Sequence, residues 1–377
     1  MRYLRCGFEG ADFQMPCLGI GTIGAGSGDT ATENSIKERL DSFALALDLG
    51  TNFFDVGEDY EDGFAEKILG RFAKGQRHKL LIATKFTPKH AAYEDLLTAA
   101  EGSLRRLQTD YLDIYQMHWP NPNIPLEETI AAMERLMREG KVRSIGLSNC
   151  SIQFAKSVNS LLLGARVATN QVKFNALNRP TAAEPNYFSE TVREGLTTIA
   201  YGIFGQGMMQ FGDDARSLIN RLCKKYLVSE AQLLIAWTLS FPKTVALIRS
   251  MNHGHIRNNI AAADLVLDSA DADSLTSCFR IIVREIPVAR ILVSNSDPDV
   301  SHKIYLSLEE ALRNEHELSP DVKTIAREIE AGDSFRPVEL IPDGQNYQLV
   351  QGRMRYWAWR YLYGANSLIP AVMIASA

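Results

Sequence analysis

The chain has no run near the roughly 20 apolar residues that cross a bilayer and no excess of positive charge. It also lacks any CxxC pair and any His at metal-ligand spacing from a cysteine. The first absence excludes a helical membrane span. The second excludes a general attraction to nucleic acid or anionic lipid: 40 Lys and Arg stand against 45 Asp and Glu, a net charge of −5, so any phosphate binding must be local. The third argues against a zinc site or a disulfide framework, because Cys6, Cys17, Cys150, Cys223 and Cys278 are scattered and odd in number. No metal is expected. The amino terminus, MRYLRCGFEG, has no charged head followed by an apolar run, and the expected compartment is the cytoplasm, with thiols reduced.

What is present is ordinary in amount and informative in order. Hydrophobic residues make up 46% and charged residues 23% of 377 positions, the proportions of a globular protein. Short apolar runs alternate with amphipathic segments at the spacing of βα units. The runs CLGIGTI (17–23), NFFDV (52–56), KLLIATKF (79–86), YLDIYQMH (111–118), SIGLS (144–148), TNQVKF (169–174), LTTIAYG (196–202) and TVALIR (244–249) make eight expected strands. Between them lie helical patterns at 35–50, closed by Gly50, at 93–107 and at 126–140. Strands that are continuously apolar and followed by helices predict a parallel sheet covered on both faces, closed as a (β/α)8 TIM barrel. Such a barrel takes about 250 residues, so a second, smaller α+β domain is expected at the C-terminus. The expected domains are 1–283 and 284–377.

Four polar residues end these runs or follow them: Asp55 in NFFD, Tyr60 in GEDY, Lys85 in LLIATK and His118 in YLDIYQMH. In a β/α barrel the C-terminal strand ends converge on one mouth, where catalytic side chains gather. The set, in the surroundings FFDVGEDY, GFAEKILG, ATKF and LDIYQMHWP, resembles the catalytic tetrad of the aldo-keto reductases. GKVRSIGLSNC, TNQVKFN, AYGIFGQGMM and IRSMNHGHIRNNIAAADL extend the resemblance over roughly residues 1–275. It implies an NADPH-dependent carbonyl reductase with Tyr60 as proton donor. Lys85 would favour the phenolate, Asp55 would hold Lys85, and His118 would orient the substrate carbonyl. Ser148, Asn149 and Gln171 would bind the nicotinamide carboxamide and Tyr201 would stack under its ring, with Thr22 and Asp55 close by. Arg249 and Ser250 occupy the positions that hold the 2′-phosphate, with His255 where many members have Arg, and Asn258 and Asn259 match the adenine contacts. NADPH is favoured and NADH is the alternative. Trp119, Phe86, Ile23 and Phe204 are expected as apolar walls of the pocket for a small-molecule carbonyl substrate.

The C-terminal stretch 319–362 carries a helix, a GDSFRPV strand entry at 332–338, a PDGQ turn and a GRMR junction before another helix. It resembles the ParB and sulfiredoxin-like domains. That resemblance implies an anion or second-nucleotide site at Gly352 and Arg355, since a helix N-terminus favours phosphate. A structural or dimerising role, forming a homo-oligomer through this domain, is the other reading. DNA is not an expected partner: residues 284–377 hold 10 Lys and Arg against 13 Asp and Glu, whereas a backbone binder needs a basic face. The whole chain therefore reads as a working reductase with an appended domain. A cofactor-binding redox sensor or scaffold of low turnover, and a bifunctional protein with a nucleotide-binding C-terminal domain, are the alternatives.

Overall fold

The computed structural model describes residues 1–7, 13–23, 31–180, 184–205, 211–279, 283–294, 305–314, 320–330 and 337–373. An antiparallel hairpin of β1 (Tyr3–Cys6) and β2 (Phe13–Pro16) comes first. Eight parallel strands then close a barrel: β3 (Leu18–Gly21), β4 (Phe53–Asp55), β5 (Leu81–Phe86), β6 (Leu112–Met117), β7 (Val142–Ser148), β8 (Val167–Lys173), β9 (Thr197–Tyr201) and β10 (Thr244–Ile248), which pairs back onto β3. Each lies within an expected run or, for β7 and β8, extends it by two residues. The hairpin was not anticipated. Its Cys6 and Met15 pack with Phe53, Leu81, Ala83, Ile114, Ile199, Val245 and Leu247 into one buried cluster, which fills the end of the barrel opposite the C-terminal strand ends.

Helices α1 (Glu33–Asp48), α2 (Phe64–Ala73), α3 (Tyr93–Leu107), α4 (Leu126–Arg138), α5 (Ile152–Leu161) and α6 (Tyr187–Arg193) follow successive strands. They are joined by α7 (Asp213–Tyr226), α8 (Glu230–Thr238), α9 (His253–Ala261) and α10 (Ser269–Cys278). Local chemistry sets their ends. Thr32 and Ser35 form a capping box at the start of α1, and Gly50, at φ +96°, takes the left-handed position just past its end. In α4 the acidic Glu127 and Glu128 open the helix and the basic Arg135 and Arg138 close it, each complementing the helix dipole.

Strand periodicity divides the side chains between two cores. In β5, Leu81 and Ala83 join the inner cluster, while Ile82 and Phe86 pack outward among the helices. Lys85 continues the inner row. Asp55 follows Phe53 on the same row of β4, and Gln116 follows Ile114 on that of β6, so three polar side chains face inward at the barrel's C-terminal end. Gly19 is required on the neighbouring strand, because a Cβ there would lie 2.2 Å from the Phe53 ring.

Beyond the barrel is a second sheet of β11 (Val283–Pro287), β12 (Ile291–Leu292), β13 (Val338–Asp343), β14 (Asn346–Gln351) and β15 (Leu368–Met373), in the order β11-β15-β13-β14-β12. Helices α11 (Leu308–Arg313), α12 (Val322–Glu330) and α13 (Arg353–Tyr363) accompany it. Val338, Leu340, Tyr356, Trp357, Ile369 and Ala371 belong to its separate buried core. The PDGQ turn joins β13 to β14, with Gly344 at φ +59°. Gly332, part of the expected strand entry, and most of the polar stretch 294–303 lie outside the described residues. No disulfide joins the five cysteines. Among the described residues no helix is long and apolar enough to cross a membrane.

Candidate active site

Lys85 is the hub. Its side chain is 1% exposed, and Nζ donates to both carboxylate oxygens of Asp55 at 2.8 Å, to the Val56 carbonyl at 2.8 Å and to the Tyr60 hydroxyl at 3.0 Å. Burial alone would pull the lysine pKa down, but the carboxylate of Asp55 and the Tyr60 hydroxyl outweigh it and hold the ammonium protonated well above its ordinary range. Burial pushes the Tyr60 phenol up, and the favourable charge of Lys85 only partly offsets that. At neutral pH the site therefore holds a phenol beside an ammonium.

The loop after β4 delivers Tyr60. Glu61 and Asp62 both adopt left-handed φ of 54° and Gly63 follows at 80°, which turns the chain sharply into α2. Left-handed non-glycine residues in succession are costly and point to a locally over-determined turn. Glu61 is held by Arg39, whose second nitrogen donates to the Thr22 carbonyl. Glu58 accepts from the Thr87 backbone and hydroxyl and faces His90 Nδ1 at 2.7 Å. His118 stands immediately after β6, its N–H bonded to Phe86 O. Its ring lies edge-on to Tyr60 with centroids 5.9 Å apart, and its Nδ1 is 3.3 Å from Asp59 Oδ2. Asp55, Tyr60, Lys85 and His118 thus come together at one end of the barrel.

The next strand ends carry the expected nicotinamide contacts. Asn149, in left-handed conformation, donates to Ser148 Oγ at 3.0 Å and to the His118 carbonyl at 3.2 Å, and accepts from the Tyr201 hydroxyl at 2.8 Å. Gln171 pairs in register with Ser148, and its carbonyl accepts from Asn149 N–H. Thr22 donates through both N–H and Oγ to the Asp55 carbonyl. Asn149 and Tyr201 therefore link β7 to β9 across the mouth.

A second group lies at the end of β10. Arg249 is exposed, Ser250 Oγ accepts from Asn252 N–H, and Asn252 caps α9 by accepting from His255 N–H. His255 and Asn258 are exposed on α9, whereas Asn259 is buried. Among the expected pocket walls, Trp119 and Ile23 are exposed and Phe204 is half-buried. Phe86 is a correction: it is 0% exposed and packs on Tyr115 in the outer core, because it is one residue out of phase with Lys85 on the strand.

Two residues at this site escaped the sequence reading. Gln116 donates from Nε2 to Asp55 Oδ1 at 3.3 Å, while its Oε1 is buried without a partner among the described residues. Its signal was the two-residue offset from His118. Gly146 makes room for it, since a Cβ there would lie 2.7 Å from Gln116 Cγ and 2.6 Å from Thr169 Oγ1. Asp59 is the other, placed beside His118 by the turn that presents Tyr60.

The C-terminal sheet reaches this end of the barrel. Lys173, at the end of β8, lies 3.2 and 3.3 Å from the two carboxylate oxygens of Glu339 in β13 and also donates to Gln351 in β14. Asn178 donates to the same Glu339 carboxylate. Next along the chain, Gly352 caps α13 with φ +95°, and Arg355 folds back over it to donate to the Pro337 carbonyl.

Residues 17–280 match the aldo/keto reductase family. The methylglyoxal reductase YeaE of Escherichia coli is 31% identical over 269 residues, which span 71% of this chain and 92% of that protein. The aldo-keto reductase YhdN of Bacillus subtilis is 30% identical over 60% of this chain and 78% of its own length. Among solved structures, a thermostable aldo-keto reductase crystallised with the inhibitor epalrestat superposes with a TM-score of 0.68 at 30% identity, over 74% of this chain and all of its own. An aldo-keto reductase from Klebsiella pneumoniae in complex with NADPH gives 0.63 at 31%, over 71% of this chain and 92% of that one. On its sequence, its closed eight-stranded barrel and these relatives, the chain belongs to the aldo/keto reductase family.

Proposed function

We propose that this protein reduces a small aldehyde or ketone to an alcohol with NADPH, with Tyr60 as the proton donor. The observation that carries the reading is the Lys85 ammonium bonded at once to Asp55 and to the Tyr60 hydroxyl at the barrel mouth.

The residues present fit the cofactor. A hydroxyl and two side-chain amides, on Ser148, Asn149 and Gln171, suit a carboxamide, and the Gln171 amide makes no hydrogen bond among the described residues. Tyr201 offers a ring beside them. Arg249, a planar and permanently charged donor, stands with Ser250 ahead of the α9 N-terminus, a combination suited to a phosphate. His255, Asn258 and Asn259 follow on α9 and would contact the adenosine end. When bound, NADPH supplies a hydride to the carbonyl carbon.

The chain's own groups handle the oxygen. As negative charge develops there, the Tyr60 hydroxyl gives it a proton and regains one from water. Lys85 stabilises the transient phenolate, and Asp55 keeps that lysine charged and fixed. His118 binds the same oxygen and orients the carbonyl. Names of relatives such as the methylglyoxal reductases YeaE and DkgB support a small 2-oxoaldehyde as the first substrate to try.

Residues 284–377 are proposed as a distinct domain that braces the mouth through Glu339. Its hairpin and the left-handed Gly352 ahead of α13 support a ParB or sulfiredoxin-like plan. The test is NADPH oxidation with methylglyoxal and a panel of aldehydes and ketones, comparing wild type with Tyr60→Phe. The proposal expects turnover that falls by at least about a hundredfold, the lower bound for a positioned acid, with cofactor affinity kept. NADPH binding without turnover on any carbonyl would replace it by a cofactor-sensing role.

A further inference from the structure

We propose that Asp59 is a positioning residue that fixes a proton on Nδ1 of His118, so that Nε2 donates to the substrate oxygen only when the ring is an imidazolium. The inference rests on the carbonyl-reductase reading for its consequence, but its premise is a property of the protein alone.

The geometry is specific. Asp59 Oδ2 lies 3.3 Å from His118 Nδ1, and no side chain could be added at Gly57 without lying 2.9 Å from Asp59 Oδ1. That second oxygen is buried with no hydrogen-bond partner among the described residues, so the histidine is the group the carboxylate serves. Burial opposes the charge on Asp59, yet the neighbouring His118 ring, with the charge of Lys85 behind it, outweighs it and holds the carboxyl below the ordinary aspartate value. An ionised carboxylate accepts hydrogen bonds and cannot donate one. A lone pair on Nδ1 would face that negative oxygen, so the contact selects hydrogen on Nδ1, and a neutral ring in that tautomer presents a lone pair, not a hydrogen, at Nε2. A carbonyl oxygen facing a lone pair is repelled. Only the doubly protonated ring both satisfies Asp59 and donates to substrate.

The other groups around His118 do not change this sign. Tyr60 meets it edge-on and is a neutral phenol, Lys85 is neutralised by Asp55 and lies behind Tyr60, and Glu58 is engaged by Thr87 and His90. Trp119 stacks beside it and Asn149 bonds only its carbonyl. Asp59 is the one carboxylate facing the ring among the described residues. In the reaction itself the transferred proton still comes from Tyr60, and the Nε2 hydrogen stays on His118.

The first experiment is a nitrogen NMR titration of the full chain, with the His118 signals assigned by their loss in His118→Gln. The expected result is an Nδ1–H tautomer when the ring becomes neutral; a neutral Nε2–H tautomer overturns the proposal whether or not any substrate is turned over. The second is the pH profile of kcat/KM for wild type and Asp59→Asn. An amide can donate to Nδ1 and so permits the neutral Nε2–H ring. In wild type kcat/KM should fall by about tenfold or more on the alkaline side, the worth of one charge-assisted hydrogen bond, and the fall should flatten in Asp59→Asn. Superimposable profiles overturn the proposal. Absence of carbonyl turnover in wild type would instead remove the reductase reading and leave the NMR result to decide this one.

Discussion

Glu339 of the C-terminal sheet and Lys173 of the barrel form an ion pair across the two units, two residues beyond Gln171 on β8. Both side chains are largely buried, and Asn178 and Gln351 add polar partners. The C-terminal unit is therefore tied to the strand that carries a proposed nicotinamide contact, and at a β8 residue that pairs in register with Tyr201.

Removing one partner of a buried pair leaves the other charge uncompensated, at a cost of about 3 kcal/mol or more. Glu339→Ala should therefore loosen the C-terminal unit, seen as faster release of that unit in limited proteolysis. It should also weaken NADPH binding by several-fold. Glu339→Ala with Lys173→Met, which removes both charges, should recover part of the loss. Unchanged proteolysis in the single variant would show that the contact does not hold the units together.

The titrations of Lys85 and Tyr60 predict alkaline instability. Both groups keep their protons in the folded state beyond their ordinary values of 10.5 and 10.0. Above about pH 10 the folded chain therefore holds more protons than the unfolded chain, and stability falls as pH rises. The contribution is fully present below pH 10. Denaturant midpoints measured from pH 8 to 11 should decline, and should decline less steeply in Tyr60→Phe with Lys85→Met. Parallel curves would remove these two groups as the cause.

Gly146→Ala tests the packing behind the site. The added methyl would meet Thr169 Oγ1 and Gln116 Cγ within 3 Å, and overpacking of this kind costs about 1–3 kcal/mol. Thermal unfolding should shift down, and turnover should drop more than cofactor affinity because Gln116 is pushed against Asp55. A variant as stable and active as wild type would mean that β7 yields at this point.

Arg249→Ala addresses the nucleotide. If its guanidinium holds the 2′-phosphate, the loss should weaken NADPH by about tenfold or more, the worth of a charge-assisted contact. NADH, which lacks that phosphate, should be almost unaffected. Equal losses for both nucleotides would place Arg249 elsewhere on the cofactor, and His255 would become the next position to test.

Much of this was legible from spacing alone. An apolar run that ends in Asp, Lys or His at a strand terminus is visible without coordinates, because strand periodicity and burial on both faces write themselves into residue order. Eight such runs were enough to predict the barrel, and Asp55, Lys85 and His118 could be placed at one end of it. Tyr60 was found by its neighbours, since it sits on no strand. Phe86 was assigned to the wrong face because a run apolar on both faces does not announce its phase, which Lys85 reveals only once the inner row is known. The hairpin beneath the barrel, Gln116 under Asp55, Asp59 against His118 and Glu339 against Lys173 belong to tertiary structure. Each depends on bringing segments tens to more than a hundred residues apart to within a few ångströms, and a side chain's partner is set by that closure, not by its own position in the chain.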